Sequence, residues 1–138
     1  MPFQLDIVTP EAKIYSGEVE DVYLPGVEGE LGVLANHVPL VTGLQPGELR
    51  YKVDGKVEER AVGEGFVEVT QEKVTVLTDL AVADAEIEEN MVEAAMKRAE
   101  EQLAKIDHSE NTEEVAALQA AIAKSMAQLK LKRKRRQI

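Results

Sequence analysis

The sequence predicts a two-part chain, with an N-terminal antiparallel β-sandwich or barrel over residues 1–84 and an antiparallel two-helix hairpin over residues 85–138. Three observations carry this reading. All nine glycines lie at or before Gly65, and all five prolines at or before Pro46. Alternation of apolar and polar residues, the mark of half-buried strands, is confined to the same part. Beyond Asp84 alanines concentrate, nothing breaks a helix, and the apolar spacing changes from two to three and four.

Phe3, Leu5 and Ile7 alternate with Gln4 and Asp6, which predicts a first strand. Leu49, Tyr51 and Val53 alternate with Glu48, Arg50 and Lys52. Asp54-Gly55 then lies between Val53 and Val57 and predicts a hairpin, because a type I′ turn needs positive φ at both central residues. Val67 and Val69, then Val74 and Val76, repeat the alternation across a Gln71-Glu72-Lys73 turn. Strands this short, with turns this frequent, leave no room for crossover helices, which favours a sandwich or barrel over a parallel sheet.

Asp84 is placed to cap the first helix, with Glu86, Glu88 and Glu89 at the positive end of its dipole. Ile87, Met91, Ala94 or Ala95, Ala99, Leu103 and Ile106 follow at helical steps. Residues 107–112 form a polar turn, in which Asn111 and Glu114 fit a capping box. Val115, Leu118, Ile122, Met126 and Leu129 then mark one side of a second helix. So short a connection folds the helices back antiparallel. Their seam is rich in Ala, and burying a Leu-sized side chain contributes about 1.5–3 kcal/mol, far more than Ala does. The hairpin is therefore expected to be helical but weakly closed.

With 44% apolar residues the chain can build a core, and with no Trp that core is aliphatic. The absence of cysteine removes disulfide and thiol chemistry. No apolar run approaches the roughly 18 residues that span a bilayer, and the start MPFQLDIVTP lacks the zones of a signal peptide. Any membrane association is expected to come through partners.

A net charge of −10 conceals an asymmetry, since Lys130, Lys132, Arg133, Lys134, Arg135 and Arg136 crowd the C-terminus of an otherwise acidic body. Three readings of this tail stand side by side: a solvated helix end, a nucleic-acid contact, or a plug for an acidic protein surface. Enzymatic chemistry finds little footing. His37 beside Val38-Pro39 reads as a structural or interface residue, and His108 falls in the polar turn. Glu86, Glu88, Glu89 and Glu93 suit a helix dipole and solvation better than a metal ion. The glycines at 26, 29 and 32 lack the Gly-Lys-Ser/Thr ending of a P-loop, and their flanking glutamates repel phosphate.

Residues 24–50, LPGVEGELGVLANHVPLVTGLQPGELR, resemble the epsilon subunit of F-type ATP synthases, in which Gly-x-Glu-Gly-Glu-Leu-Gly precedes His-x-Pro-Leu. Leu5-Asp6-Ile7-Val8, Tyr15-Ser16-Gly17, the region from Gly63-Glu64-Gly65-Phe66 to Val76-Leu77, and the two-helix tail extend the resemblance over nearly the whole chain. It implies a non-catalytic rotor subunit without a cofactor. The sandwich would bind the gamma subunit, with Thr9, His37 and Thr42 at or near that surface. Glu28 and Glu30 would rest on the ring of c subunits, Glu30 at the tip of the acidic turn. The hairpin would stay folded or extend into the alpha/beta head, where Lys130, Lys132, Arg133, Lys134, Arg135 and Arg136 meet an acidic beta segment and block ATP hydrolysis. The implied location is peripheral, on the cytoplasmic face of a bacterial plasma membrane or the stromal face of a plastid thylakoid.

Some bacterial members hold ATP on the folded hairpin through Ile/Leu-Asp-x-x-Arg-Ala. Here Glu88 keeps the acid and Arg98 matches another arginine, but Met91 replaces the motif's arginine and Val92 its alanine. Lys124 and Gln128 also stand where the second helix carries arginines, so forked phosphate donors are lost and little or no ATP binding is expected. The alternative from another class is an adaptor whose basic tail binds acidic proteins or nucleic acid.

Overall fold

The computed structural model describes residues 2–35 and 38–136. Its strands are β1 (Phe3–Val8), β2 (Lys13–Val19), β3 (Asp21–Gly26), β4 (Gly29–Val33), β5 (Leu40–Leu44), β6 (Gly47–Val53), β7 (Lys56–Val62), β8 (Gly65–Val69), β9 (Lys73–Thr78) and β10 (Ala81–Ala83). They hydrogen-bond in the order β10-β7-β6-β3-β5-β8-β9-β1-β2, with β4 added to β3. The sheet curls into a nearly closed sandwich. Its far strand β2 returns to β6, where the Tyr15 and Tyr51 rings lie 4.7 Å apart.

Asp54 and Gly55 both have positive φ, 50° and 79°, as the type I′ turn between β6 and β7 requires. One pairing departs from the antiparallel expectation: β1 runs parallel to β9, with Leu5 beside Val74 and Ile7 beside Val76. These four side chains join Val22, Leu24, Leu49, Val62 and Val67 in one aliphatic core. Beside them the buried Asp6 carboxylate ties three strands, accepting from Lys73 Nζ of β9, Gln4 Nε2 of β1 and Ser16 Oγ of β2, each at 2.8 Å.

The chain leaves β10 through a 3-10 turn at Asp84–Glu86 and forms α1 (Glu89–Lys105) and α2 (Thr112–Arg136). Asp84 does not cap α1, which starts later. The Glu86 carboxylate instead accepts the Ala83 N–H at 2.9 Å and closes the short turn. Met91 and Met126, expected in the helix seam, are 70% and 58% exposed. Ala99, Ser125 and Leu129 are buried in the hairpin, and Leu131, within the basic tail, is fully buried. Leu131 packs with Ala61 of β7 and Ile87, flanked by Val82, Val92 and Ala127. The reason is that α2 serves two surfaces. Leu118, Ile122, Ser125, Leu129 and Arg133 recur along the side that meets α1, while Lys124, Ala127, Leu131 and Lys134 recur along the side that meets the sandwich.

Candidate functional site

Three surfaces carry the residues singled out in the sequence. The first is the β3–β4 hairpin. Pairing of Gly26 with Gly29 leaves Val27 and Glu28 at the tip, and Gly29 takes φ +123°, a conformation L side chains rarely adopt. Glu30 is therefore not the tip residue. It lies one step along β4 opposite Pro25, exposed but ion-paired to Arg50 Nη1 at 3.4 Å. Arg50 in turn sits 5.1 Å over the Tyr23 ring, so Glu30 is held in place, while Glu28 is exposed at the tip.

Thr42 shares a cleft with Glu28, Glu30 and Leu40, beside that turn. Thr9 lies elsewhere, in a cleft of about 380 Å³ whose walls include Val8, Pro10, Glu64, Leu77 and Asp79. The Thr9 hydroxyl is buried and donates to the Ala12 carbonyl at 3.2 Å. Thr9 and Thr42 thus line different clefts, and His37 lies outside the described residues. Adjoining the Thr9 cleft, which Leu77 also lines, is an apolar face that sequence reasoning missed. Phe66 pairs with Gly43 on one side and Leu77 on the other, and Val41 lies two residues from Gly43 on the same face. Val41, Phe66 and Leu77 are 67%, 62% and 49% exposed. The signal was available: Phe66 and Leu77 are out of phase with the buried valines at 67, 69, 74 and 76.

The third surface is the end of α2. Lys132 Nζ donates to the Asp84 carbonyl at 3.3 Å and lies 3.9 Å from its carboxylate. Arg133 forks to Glu89 at 3.0 Å and to Glu93. Lys134 lies between Glu48 of β6, at 3.0 Å, and Glu59 of β7, at 2.5 Å. Burial and the neighbouring Glu59 push the Glu48 carboxyl above its ordinary range, while Lys134 draws it back. Hydrogen bonds to Glu59 and Glu48 raise the Lys134 ammonium in turn. Ten residues earlier, Lys124 reaches Asp79 at 2.7 Å. Gly63 makes this possible, because a Cβ there would stand 2.0 Å from the Asp79 carboxylate. Lys130 is exposed, and the side chains of Arg135 and Arg136 lie outside the described residues.

Glu88, at the N-terminus of α1, lines a cleft with Glu86, Met91, Val92, Ala95, Ser125 and Gln128. Its described walls offer two carboxylates and no cation, and the exposed Arg98 is not among them. That environment disfavours a polyphosphate.

The beta-sandwich domain of the ATP synthase Delta/Epsilon chain matches residues 2–84. An ATP synthase epsilon chain from Laribacter hongkongensis is 44% identical over 128 residues, covering 91% of this chain and 89% of the relative. Another from Herpetosiphon aurantiacus is 40% identical over 136 residues, 99% of this chain and 98% of the relative. In fold, the chain is similar to one in the Euglena gracilis mitochondrial ATP synthase structure of OSCP, F1 and c-ring, with a TM-score of 0.76 at 24% identity, over 91% of this chain and 78% of that one.

Proposed function

The chain belongs to the ATP synthase epsilon-chain family, and from that membership we propose that it couples rotation in the central stalk and brakes ATP hydrolysis through its C-terminal helices. In this reading the gamma subunit covers the apolar face of Val41, Phe66 and Leu77 together with the Thr9 cleft; Thr42 is assigned to it by the family resemblance alone, as is His37, which lies outside the described residues. Exposed apolar patches flanked by polar residues are what a permanent partner buries. Glu28 at the hairpin tip, with Glu30 behind it, meets the polar loops of the c-ring. The cationic end of α2, from Lys130 to Arg136, meets an acidic segment of the alpha/beta head. No helix among the described residues is long and apolar enough to cross a membrane. In this reading attachment comes through the complex, at the cytoplasmic face of a bacterial membrane or the stromal face of a plastid thylakoid.

The observation that carries the brake is how little holds α2 down. Leu131 is the one fully buried large side chain on its sandwich-facing side among the described residues, and such burial contributes about 1.5–3 kcal/mol. Around it Val82, Val92 and Ala127 add partly buried apolar contact, and the other ties to the sandwich are ion pairs, most of them partly exposed, a kind that contributes about 0–1 kcal/mol each. Closed and open hairpins then differ by only a few kcal/mol, and a partner that binds one of them shifts the balance. At 25 residues α2 is about 37 Å long, enough to carry its charge well along a shaft.

Ending the chain at Leu129 should raise ATP hydrolysis by the assembled complex while leaving assembly intact. The gain should shrink as salt rises, because exposed charges are screened over about 8–10 Å. Unchanged hydrolysis at low salt would leave a coupling subunit without a brake.

A further inference from the structure

Glu48 and Glu59 belong to neighbouring strands, and their carboxylates converge on one ammonium group. Their side chains are only 16% and 7% exposed, whereas Lys134 is 44% exposed at the mouth of the pair. Nearby Arg60 is already engaged, donating to Tyr51 at 3.3 Å and pairing with Glu86 at 3.6 Å. Lys132 is likewise turned toward Asp84. Two carboxylates set this close repel each other unless a proton or a cation lies between them. Lys134 is three residues after Leu131 on the helix, so the apolar anchor and the charged one descend on the sandwich together.

We infer that Glu48 and Glu59 form a receptor within this chain for Lys134, and that this latch sets how readily the hairpin leaves the sandwich. Of the cations assigned to the brake, Lys132, Arg133 and Lys134 are held on the chain's own carboxylates when closed. Arg133 repeats the device against Glu89 and Glu93 of α1, where it closes the hairpin itself. An acidic partner must therefore outcompete an acidic surface already in place. A chain with a strongly acidic body and a basic end has a use for both. The body holds the end until a partner offers a better site. The latch itself is a property of the isolated chain, and only its effect on hydrolysis rests on the proposed brake.

The test uses amide hydrogen exchange on the full-length isolated chain, following residues 125–134 of α2. Glu48→Gln with Glu59→Gln should speed exchange there by about tenfold at low salt, and so should Lys134→Gln. Because all three side chains form one unit, the triple variant should exchange no faster than either alone. Added salt should speed the unsubstituted chain more than the variants, which keep only the other ion pairs of α2. Amides of β1 and β9 serve as the control for an intact sandwich. Should the carboxylate variant fail to fold, Lys134→Gln, altered at a partly exposed helix end, reads the same contact from the other side. Unchanged exchange in α2, or additive effects in the triple variant, would overturn the latch. In the assembled complex the carboxylate variant keeps every cation of the tail but frees Lys134. Hydrolysis should then fall, the opposite of the truncation's effect. Faster exchange in the isolated chain with unaltered hydrolysis keeps the latch and sinks the brake.

Discussion

In the sandwich, Leu5, Ile7, Val22, Leu24, Leu49 and Val67 are all at 0% exposure and touch across the interior. In α1 the one buried residue is Ala99. The two regions are thus closed by different forces. The sandwich is held by aliphatic area removed from water, which is insensitive to salt and does not let one strand leave alone. The hairpin is held by small side chains, two buried leucines and a run of ion pairs, and a partner of opposite charge can replace the ion pairs. The proposed opening of the arm on a platform that stays closed rests on that difference.

The largest expected effect comes from breaking the platform. Leu24→Ala leaves a cavity in the core and should cost about 2–5 kcal/mol, a large part of the total stability of a domain this size. Urea unfolding of the sandwich would read it directly. Leu131→Ala should lose about 2–3 kcal/mol of docking and expose α2 to amide exchange, yet leave the sandwich midpoint where it was. An equal fall in that midpoint would show the two regions to be one cooperative unit. Gly63→Ala is a milder test, at about 1–3 kcal/mol, since the added methyl displaces Asp79 and with it the Lys124 tie. Its effect should appear in α2 exchange first.

The sandwich was legible because strand alternation and the Asp54-Gly55 turn are local signals. The parallel pairing of β1 with β9 was not, since nothing local in Leu5 or Val76 states which strand lies beside which. The hairpin was legible as two helices, but its seam was misplaced. Met91 and Met126 have helical spacing and are hydrophobic, so the pattern admits them, whereas the sandwich decides which side of α2 is covered. Leu131 was passed over because charge dominates its neighbourhood. At the sites, Glu28 and the basic end stood out as charge at the end of an element. Phe66 and Leu77 were readable in principle, being out of phase with the valines around them. Glu48 and Glu59 were not, because their meaning depends on a lysine 75 residues beyond Glu59 in the chain.

The smallest effect sharpens the comparison most. Within the sandwich, Asp6 pairs with Lys73 from a buried position, where the carboxylates and cations of the hairpin are mostly half-exposed. The Lys73 ammonium, with Gln4 and then Ser16, holds its carboxyl well below the usual carboxylate range against the opposing pull of burial. A carboxyl depressed in the folded state stabilises it above the unfolded value of about 3.9, and that contribution fades as pH falls from there toward the folded value. Asp6→Asn keeps the shape and removes the charge, so it should cost about 1 kcal/mol at neutral pH, with Lys73 half in solvent. Urea midpoints of the two proteins should then converge below about pH 4. Salt should hardly change the gap, because a buried charge is poorly screened, whereas docking of α2 should weaken under the same salt. If the Asp6 gap closes with salt as fast as α2 undocks, the two regions differ in shape but not in the kind of force that closes them.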